Sequence, residues 1–173
     1  FVKIKKYLIV LAFTLSTFSS IAEDSKNENL DLLMGKWITN CSSKSDKNGK
    51  NCSLERSLYI DKEKKRKLIT MIIQTNTSSK TVRFILISPL GTLIQSGVKI
   101  GFDDKLTSEN AYAFNICEKI GCITSMMVKK ETLERFKKSN NLDLEYVGAK
   151  GQKIEIKFNL NGFEKEFKKI ENK

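Results

Sequence analysis

Apolar and polar residues alternate along the last third of the chain. In residues 153–160 the apolar side chains occupy every second position, and polar or charged ones fill the positions between them. Residues 142–147 repeat the pattern with Leu142, Leu144 and Tyr146. Because successive side chains of a strand point to opposite faces, the pattern predicts antiparallel strands with one face on a core and the other in water.

Two segments in the middle of the chain are apolar almost without interruption. Residues 67–74 read KLITMIIQ and residues 80–88 read KTVRFILIS, with TNTSS between them. Such runs are expected for strands that are covered on both faces or lie in the middle of a sandwich. The Ser, Thr and Asn residues of the connection are typical of a hairpin turn.

Short apolar runs separated by turn residues recur along the whole domain. Many short strands at this spacing indicate a β-sandwich or a barrel, and we expect a mainly β, antiparallel sandwich of about nine strands. The predicted strands span residues 36–41, 52–60, 67–74, 80–88, 98–103, 111–117, 122–129, 142–147 and 153–160.

Two segments have the spacing of helices instead. Residues 129–139 carry Leu133 and Phe136 three positions apart, which predicts a short surface helix. In residues 162–170 the apolar side chains fall at i, i+4 and i+7 and form one stripe. We expect this C-terminal helix to cover an open end or edge of the sandwich.

The first 22 residues have the layout of a secretory signal peptide. Three lysines are followed by an apolar stretch over residues 7–18, and the segment ends in small residues at Ser20 and Ala22. The apolar stretch is short for a membrane span, although an uncleaved anchor helix is the alternative. We therefore expect a flexible leader over residues 23–35, a single domain over residues 36–173, and a periplasmic protein, with surface exposure or secretion as alternatives.

The cysteines at positions 41, 52, 117 and 122 predict two disulfides in an exported chain. Sequence allows three pairings, of which we favour Cys41–Cys52 and Cys117–Cys122, because each pair flanks a short connection between predicted strands. The alternative for CEKIGC is a redox-active or metal-binding pair. Its spacing is not that of a CxxC motif and the chain has no histidine, so a disulfide is favoured.

Basic residues outnumber acidic ones in the exported part of the chain. Of the 31 Lys and Arg, 28 follow residue 22 together with all 20 Asp and Glu, a net charge of +8. Such a surplus attracts anionic polymers or headgroups, but only four of these residues are Arg, and AT-rich coding also produces Lys and Asn. The densest cluster is either a solvated hairpin tip or an anion-binding edge, and consists of Lys62, Lys64, Lys65, Arg66 and Lys67.

The sequence offers little catalytic chemistry. Without histidine there is no Ser-His-Asp or Cys-His catalysis and no His-bound metal, and disulfides would consume the thiols. Asp103 and Asp104 are the best carboxylate cluster, but adjacent strand residues point to opposite faces, so we expect them to cap a turn rather than to catalyse or bind calcium. No nucleotide-binding or EF-hand motif is present, and we predict no catalytic residue, metal or cofactor.

Several short motifs, in order, resemble the invasion-associated locus B family of exported alphaproteobacterial proteins. They are a Trp four residues before the first Cys, a Pro-Leu-Gly turn followed by Gly-Val and Asp, a Gly-Cys dipeptide and an Asn-Gly-Phe. The residues that match the family pattern in this way, apart from the cysteines, are Trp37, Pro89, Leu90, Gly91, Leu93, Gly97, Val98, Asp103, Gly121, Gly162 and Phe163.

The chain departs from the family pattern at three places. Glu55-Arg56 stands where Gln is usual, Ile123-Thr124 where Ala is usual, and Glu-Lys-Glu follows Phe163 where Ala is common. These departures change surface and packing rather than fold. The resemblance implies an exported protein with no catalytic activity, and its name comes from members linked to entry into host cells.

We accordingly expect a non-enzymatic envelope protein that binds another protein or an envelope polymer, without nucleic acid and without a transmembrane segment after signal removal. One rival is a basic module for lipopolysaccharide or acidic polysaccharide. The other is a carboxylate-based hydrolase with two converging carboxylates. A host-invasion role would apply in pathogens only.

The resemblance gives the Pro-Leu-Gly turn a structural interpretation. Pro89 cannot donate a ladder hydrogen bond and should end the preceding strand, while Gly91 allows a sharp reversal. The alternative is that the turn forms the lip of a ligand site. Trp37, the only tryptophan, should be substantially buried with its N–H held by a nearby acceptor, rather than exposed as a platform for sugars.

Export and oxidation make one prediction together. Mass spectrometry of the periplasmic protein should show an N-terminus at Glu23 and a mass four hydrogens below that of the reduced chain. Free thiols in the native protein would contradict both the compartment and the disulfides.

Overall fold

The computed structural model describes residues 33–42, 50–61, 63, 65–106 and 111–171. Within them, eleven strands and two helices form two antiparallel sheets and their coverings. The strands are β1 (Leu33–Met34), β2 (Ile38–Cys41), β3 (Asn51–Tyr59), β4 (Lys67–Asn76), β5 (Thr81–Ser88), β6 (Val98–Phe102), β7 (Ala111–Tyr112), β8 (Ile116–Glu118), β9 (Gly121–Met127), β10 (Asn141–Val147) and β11 (Lys153–Asn159). The helices are α1 (Lys130–Lys138) and α2 (Phe163–Glu171).

The larger sheet has seven strands in the order β1-β3-β4-β5-β9-β8, and β2 also pairs with β3. β1 and β2 share one edge, because β1 pairs with the end of β3 at Leu58 and β2 with its beginning at Cys52. β8 forms the opposite edge through its hairpin with β9. The smaller sheet has the order β11-β10-β6-β7.

The two sheets form a β-sandwich, as the strand pattern predicted. Leu54, Ile73 and Phe84 of the large sheet are buried in one core with Leu144 and Phe158 of the small sheet. The alternation in residues 153–160 matches the structure, since Ile156 and Phe158 are buried while the positions between them are exposed or half-buried. The core therefore lies on the face that the sequence period selected.

Helix α1 places a phenylalanine between both sheets and the second helix. The Phe136 ring lies 5.4 Å from that of Phe84 on β5, 4.9 Å from that of Phe102 on β6, and 5.6 Å from that of Phe163 on α2. Phe163 in turn stacks on Phe167 at 5.6 Å. The predicted apolar stripe of α2 is confirmed, because Phe163, Phe167 and Ile170 are all buried.

Two sequence boundaries need correction. The segment predicted as one strand over residues 111–117 contains two, with β7 in the small sheet and β8 in the large one. The chain changes sheets within these few residues, which a local apolar pattern does not reveal. The leader predicted to extend to residue 35 ends earlier, because Leu33 and Met34 already pair with β3 and the Gly35 N–H donates to the Ser57 carbonyl at 2.8 Å.

The signal peptide predicted for residues 1–22 and the rest of the leader lie outside the described residues. In the part of the chain that the structure describes, no helix has the length and apolar character to cross a membrane.

The position of Phe136 leads to a prediction about stability. Phe136→Ala should lower the free energy of unfolding by about 3–5 kcal/mol, because it leaves a cavity that four packed elements border. Urea denaturation of the oxidised protein measures this loss. Phe136→Leu should cost less because it keeps most of the volume, and a loss below about 1 kcal/mol for Phe136→Ala would contradict the role of the ring.

Candidate functional site

The Pro-Leu-Gly turn leaves the large sheet and contacts the small one. Pro89 directly follows the end of β5, and Gly91 has the positive φ of 86° that the reversal requires. The Gly91 carbonyl accepts a hydrogen bond from the Ala149 N–H at 2.6 Å, after β10. The structure thus places Pro89 and Gly91 as the turn interpretation expected, while Leu90 at the tip is 58% exposed.

Two glycines of the motif set lie where a side chain would collide with backbone. A Cβ on Gly97 would come within 2.5 Å of the Tyr112 carbonyl oxygen, and one on Gly121 within 2.2 Å of the Ser88 carbonyl oxygen. Gly121 begins β9, directly beside the Cys117–Cys122 disulfide. Glycine is therefore required for packing at both positions. Both predicted disulfides, Cys41–Cys52 and Cys117–Cys122, are confirmed.

Asp103 follows β6 directly and links the end of that strand to the start of β10. Its carboxylate accepts hydrogen bonds from the backbone N–H groups of Asn140 and Asn141, at 3.0 and 3.1 Å. The bond from Asn141 is the largest cause that holds the pKa of Asp103 below its usual value. Asp104 instead pairs with Lys157 at 2.6 Å. The pair lies in the turn after β6, but the Asp103 carboxylate binds the backbone that leads into β10 rather than that of its own turn.

Trp37 joins the first strands to helix α2. Its indole N–H donates to the Asn161 carbonyl at 2.8 Å, and its ring meets that of Phe163 edge-on at 5.5 Å. The predicted acceptor is therefore present. The ring is half-buried rather than substantially buried, because it lies just before the edge strand β2 and is covered from one side by the Arg56 guanidinium, 5.1 Å away.

Arg56 is a structural residue that the sequence patterns did not single out. Its guanidinium donates to the carbonyls of Gly35, Asn159 and Asn161, at 2.8, 2.9 and 3.2 Å. It thereby links the large sheet to the end of β11 and the start of α2. The one feature of the sequence that could have pointed to Arg56 is its place directly after Glu55, where the family pattern has Gln.

The predicted basic cluster is only partly a free positive surface. Lys65 pairs with Glu63, and Lys67 lies 3.1 Å from Glu55. Arg66 makes no side-chain hydrogen bond or ion pair with any residue that the structure describes. Lys62 and Lys64 lie outside the described residues. The Asp61 carboxylate organises the turn, because it accepts hydrogen bonds from the backbone N–H groups of Lys65 and Arg66 at 2.9 and 3.0 Å.

The outer face of the large sheet carries a row of isoleucines. Cross-strand pairing puts Ile72 beside Ile85, Ile87 beside Ile123, and Ile123 beside Ile116. We call this set, Ile72, Ile85, Ile87, Ile116 and Ile123, the isoleucine strip. Four of its members are half-buried and Ile116 is 52% exposed. The opposite faces of the same strands are buried in the core.

A cavity of about 480 Å³ opens beside the isoleucine strip. It brings together Lys65 and Lys67 of the basic cluster, Pro89 of the Pro-Leu-Gly turn, and Ile72 and Ile87 of the strip. Ile120, 66% exposed, also lines it from the β8–β9 turn. The structure thus joins two predicted features that lie far apart in the sequence, and adds an apolar surface that the sequence did not reveal.

The carboxylates of the small sheet are engaged in ion pairs and turns. Glu145 lies 2.8 Å from the ammonium groups of both Lys153 and Lys99, which lower its pKa. The Asp143 carboxylate accepts a hydrogen bond from the Asp104 backbone N–H at 2.6 Å. Among the described residues, no three Cys, Asp or Glu side chains come together in a way that would hold a metal ion.

Comparisons with known proteins agree with this architecture. The model of the invasion associated locus B (IalB) protein family matches residues 37–171. The crystal structure of invasion associated protein b from Bartonella henselae is similar in fold, with a TM-score of 0.65 and 19% sequence identity over 80% of this chain and 94% of that chain. Comparison with curated protein sequences gives no significant match.

The low pKa of Asp103 predicts a pH-dependent contribution to stability. A carboxylate whose pKa is lowered by folding stabilises the protein above its unfolded pKa, and that stability is lost as the pH falls through the folded pKa. Asp103→Asn keeps an acceptor and tolerates the left-handed backbone, but removes the charge. It should therefore lower the urea midpoint at neutral pH, and the difference from wild type should disappear as the pH falls through the folded pKa, which lies below the usual value for Asp.

Glu118→Gln is the matched control, because Glu118 is exposed and has no partner among the described residues. It should shift the midpoint little at either pH. A deficit of Asp103→Asn that persists unchanged in acid would show that the charge has no such role.

Proposed function

This chain belongs to the invasion associated locus B (IalB) family, and from that premise we propose that it is an exported, non-enzymatic envelope protein that binds a partner protein through its isoleucine strip. Family membership and two disulfides point to a compartment outside the cytoplasm, since disulfides persist in oxidising compartments. We propose the periplasm. The proposal does not extend to entry into host cells, for which the names of relatives are the sole support.

The isoleucine strip is the observation that supports binding most strongly. The exposed face of an antiparallel sheet normally carries polar side chains, whereas here five isoleucines lie side by side across four strands. Contiguous apolar surface of this kind is a mark of interaction sites. The strands β4 and β5 are apolar on both faces. The core covers their inner face, and a partner that covers their outer face would explain the apolar side chains there.

The surroundings of the strip favour a partner protein over a polymer. Branched aliphatic side chains suit the apolar side chains of another protein, and a polysaccharide offers few groups to match them. Lys65, Arg66 and Lys67 lie at one end of the strip and would face acidic residues around the partner's apolar patch. Lys67 would then exchange its pairing with Glu55, while the guanidinium of Arg66 has no partner to give up among the described residues.

The absence of enzymatic activity is proposed from the chemistry of the side chains. The chain has no histidine, and its four cysteines are bridged. Two acidic side chains are buried in the part of the chain that the structure describes: Asp143 accepts a hydrogen bond from the Asp104 N–H, and Glu145 pairs with two lysines. These groups are therefore occupied by interactions that stabilise the small sheet.

Substitution at the exposed edge of the strip tests the proposal. Ile116→Glu places a charge on the apolar surface and should reduce binding to the partner about tenfold or more, because the charge would be desolvated in the complex. Ile94→Glu is the matched control: Ile94 is equally exposed, at 52%, and lies in the segment between β5 and β6, outside the large sheet. Cross-linking in native envelope, quantified by mass spectrometry, measures the captured partner.

The expected result is a protein captured by wild type and by Ile94→Glu but lost with Ile116→Glu, with all three proteins equally stable to heat. Equal capture by all three would contradict the proposal. Capture that ignores Ile116→Glu and falls steeply between about 50 and 200 mM salt would support the polyanion-binding alternative instead.

A further inference from the structure

A second groove lies at the other end of the large sheet from the Pro-Leu-Gly turn. It has a volume of about 820 Å³ and lies between the β4–β5 hairpin, the end of β9 and both helices. We call it the terminal groove. It shares no residue with the isoleucine strip or the cavity beside it, so an occupant would not compete with the proposed partner.

The floor of the terminal groove is apolar. Val82, Val128 and Leu133 are half-buried and pack on the core, and Phe167 beneath them is fully buried. Met127 is 53% exposed at the side of the groove. This surface suits a flexible alkyl chain, because methionine and branched aliphatic side chains adapt to such a ligand.

The rim of the groove is positive. Lys50, Lys80 and Lys130 line it, and their ammonium groups have neither a hydrogen bond nor an ion pair within the described ranges. The acidic group on the same lining, Glu171, lies 3.3 Å from Lys137 and is thereby compensated. Three cations without an acidic partner among the described residues, beside an apolar floor, complement a ligand with an anionic head and an apolar tail.

Lys80 has a backbone conformation that is unusual for a lysine. Its φ is +50°, in the left-handed region at the end of the β4–β5 turn. Glycine adopts this conformation without steric cost, whereas a side chain is disfavoured there. The turn itself therefore gains nothing from a lysine, and strained positions of this kind are frequent at ligand sites.

We propose that the terminal groove binds a single-chain anionic amphiphile, with its alkyl chain on the floor and its carboxylate or phosphate head between Lys50, Lys80 and Lys130. The volume falls within the range of small-molecule sites. The charge comes from the rim and the apolar contact from the floor, so both parts of the ligand are needed. This site lies outside the function proposed above and stands independently of it.

Calorimetric titration of the oxidised exported protein tests the proposal, with laurate as the probe below its micelle concentration. Monolaurin has the same chain without the charge, while acetate and inorganic phosphate have the charge without the chain. We expect laurate to bind, monolaurin to bind at least about tenfold more weakly, and the two small anions not to bind measurably.

Variants separate binding from folding. Lys80→Gly removes one cation and relieves the left-handed strain, so laurate affinity should fall about tenfold while the melting temperature does not drop. Met127→Gln replaces an exposed apolar side chain by a polar one of similar length and should also weaken laurate. Lys150→Gly is the matched control: Lys150 is exposed in the β10–β11 turn, outside the groove, and its loss should leave affinity unchanged.

Each of four results would overturn the proposal. Unchanged affinity in both Lys80→Gly and Met127→Gln would place the ligand elsewhere. If monolaurin bound as tightly as laurate, the site would recognise only the alkyl chain. If acetate or phosphate bound as tightly as laurate, the site would recognise only the negative charge. A laurate-sensitive dimer in light scattering would mean that a second copy fills the groove. Ile116→Glu should bind laurate normally, so failure of one proposal is distinguishable from failure of the other.

Discussion

The packing of one phenylalanine holds the sandwich together. The two sheets share no strand, so their relative position depends on side chains in the interior and on the segments that cross between them. Phe136 touches a ring from each sheet and one from α2, and therefore fixes four elements at a single point. Its own helix follows β9 directly and precedes β10, so the same residue sets how the chain passes from the large sheet to the small one. Interiors are close-packed, and a shift at such a point moves every element that borders it.

A second set of contacts positions the end of the chain. Arg56 and Trp37 both donate to the Asn161 carbonyl, and Trp37 also packs on Phe163. Helix α2 can then pack Phe163 against Phe136 and place Phe167 under the terminal groove. The apolar floor of that groove thus depends on a tryptophan and an arginine that do not line it. The motif around Trp37 and Phe163 is in this sense a structural requirement for a surface elsewhere.

Sequence was sufficient wherever a local period or spacing determined the structure. The alternation in β10 and β11 predicted the buried face, and short connections predicted both disulfide pairs. The segment over residues 111–117 shows where that reasoning stops, because a period of two does not say to which sheet a strand belongs. The isoleucine strip was hidden for a related reason: a continuous apolar run is compatible with a second covered face, and only cross-strand register shows that Ile87, Ile123 and Ile116 form one surface. The terminal groove draws Lys50, Lys80 and Lys130 from distant parts of the chain, so no local motif exists.

The location of the two disulfides has a consequence for self-association. Cys41–Cys52 ties β2 to β3 at one edge of the large sheet, and Cys117–Cys122 ties β8 to β9 at the other. Exposed edge strands are the usual templates for adding a strand from another molecule, and a strand that frays opens such a template. Oxidation therefore keeps β2 and β8 from detaching, so that the backbone groups of β3 and β9 behind them stay paired. A chain held in a reducing compartment would lose both disulfides together, and the edges of its large sheet would become the starting points of aggregation.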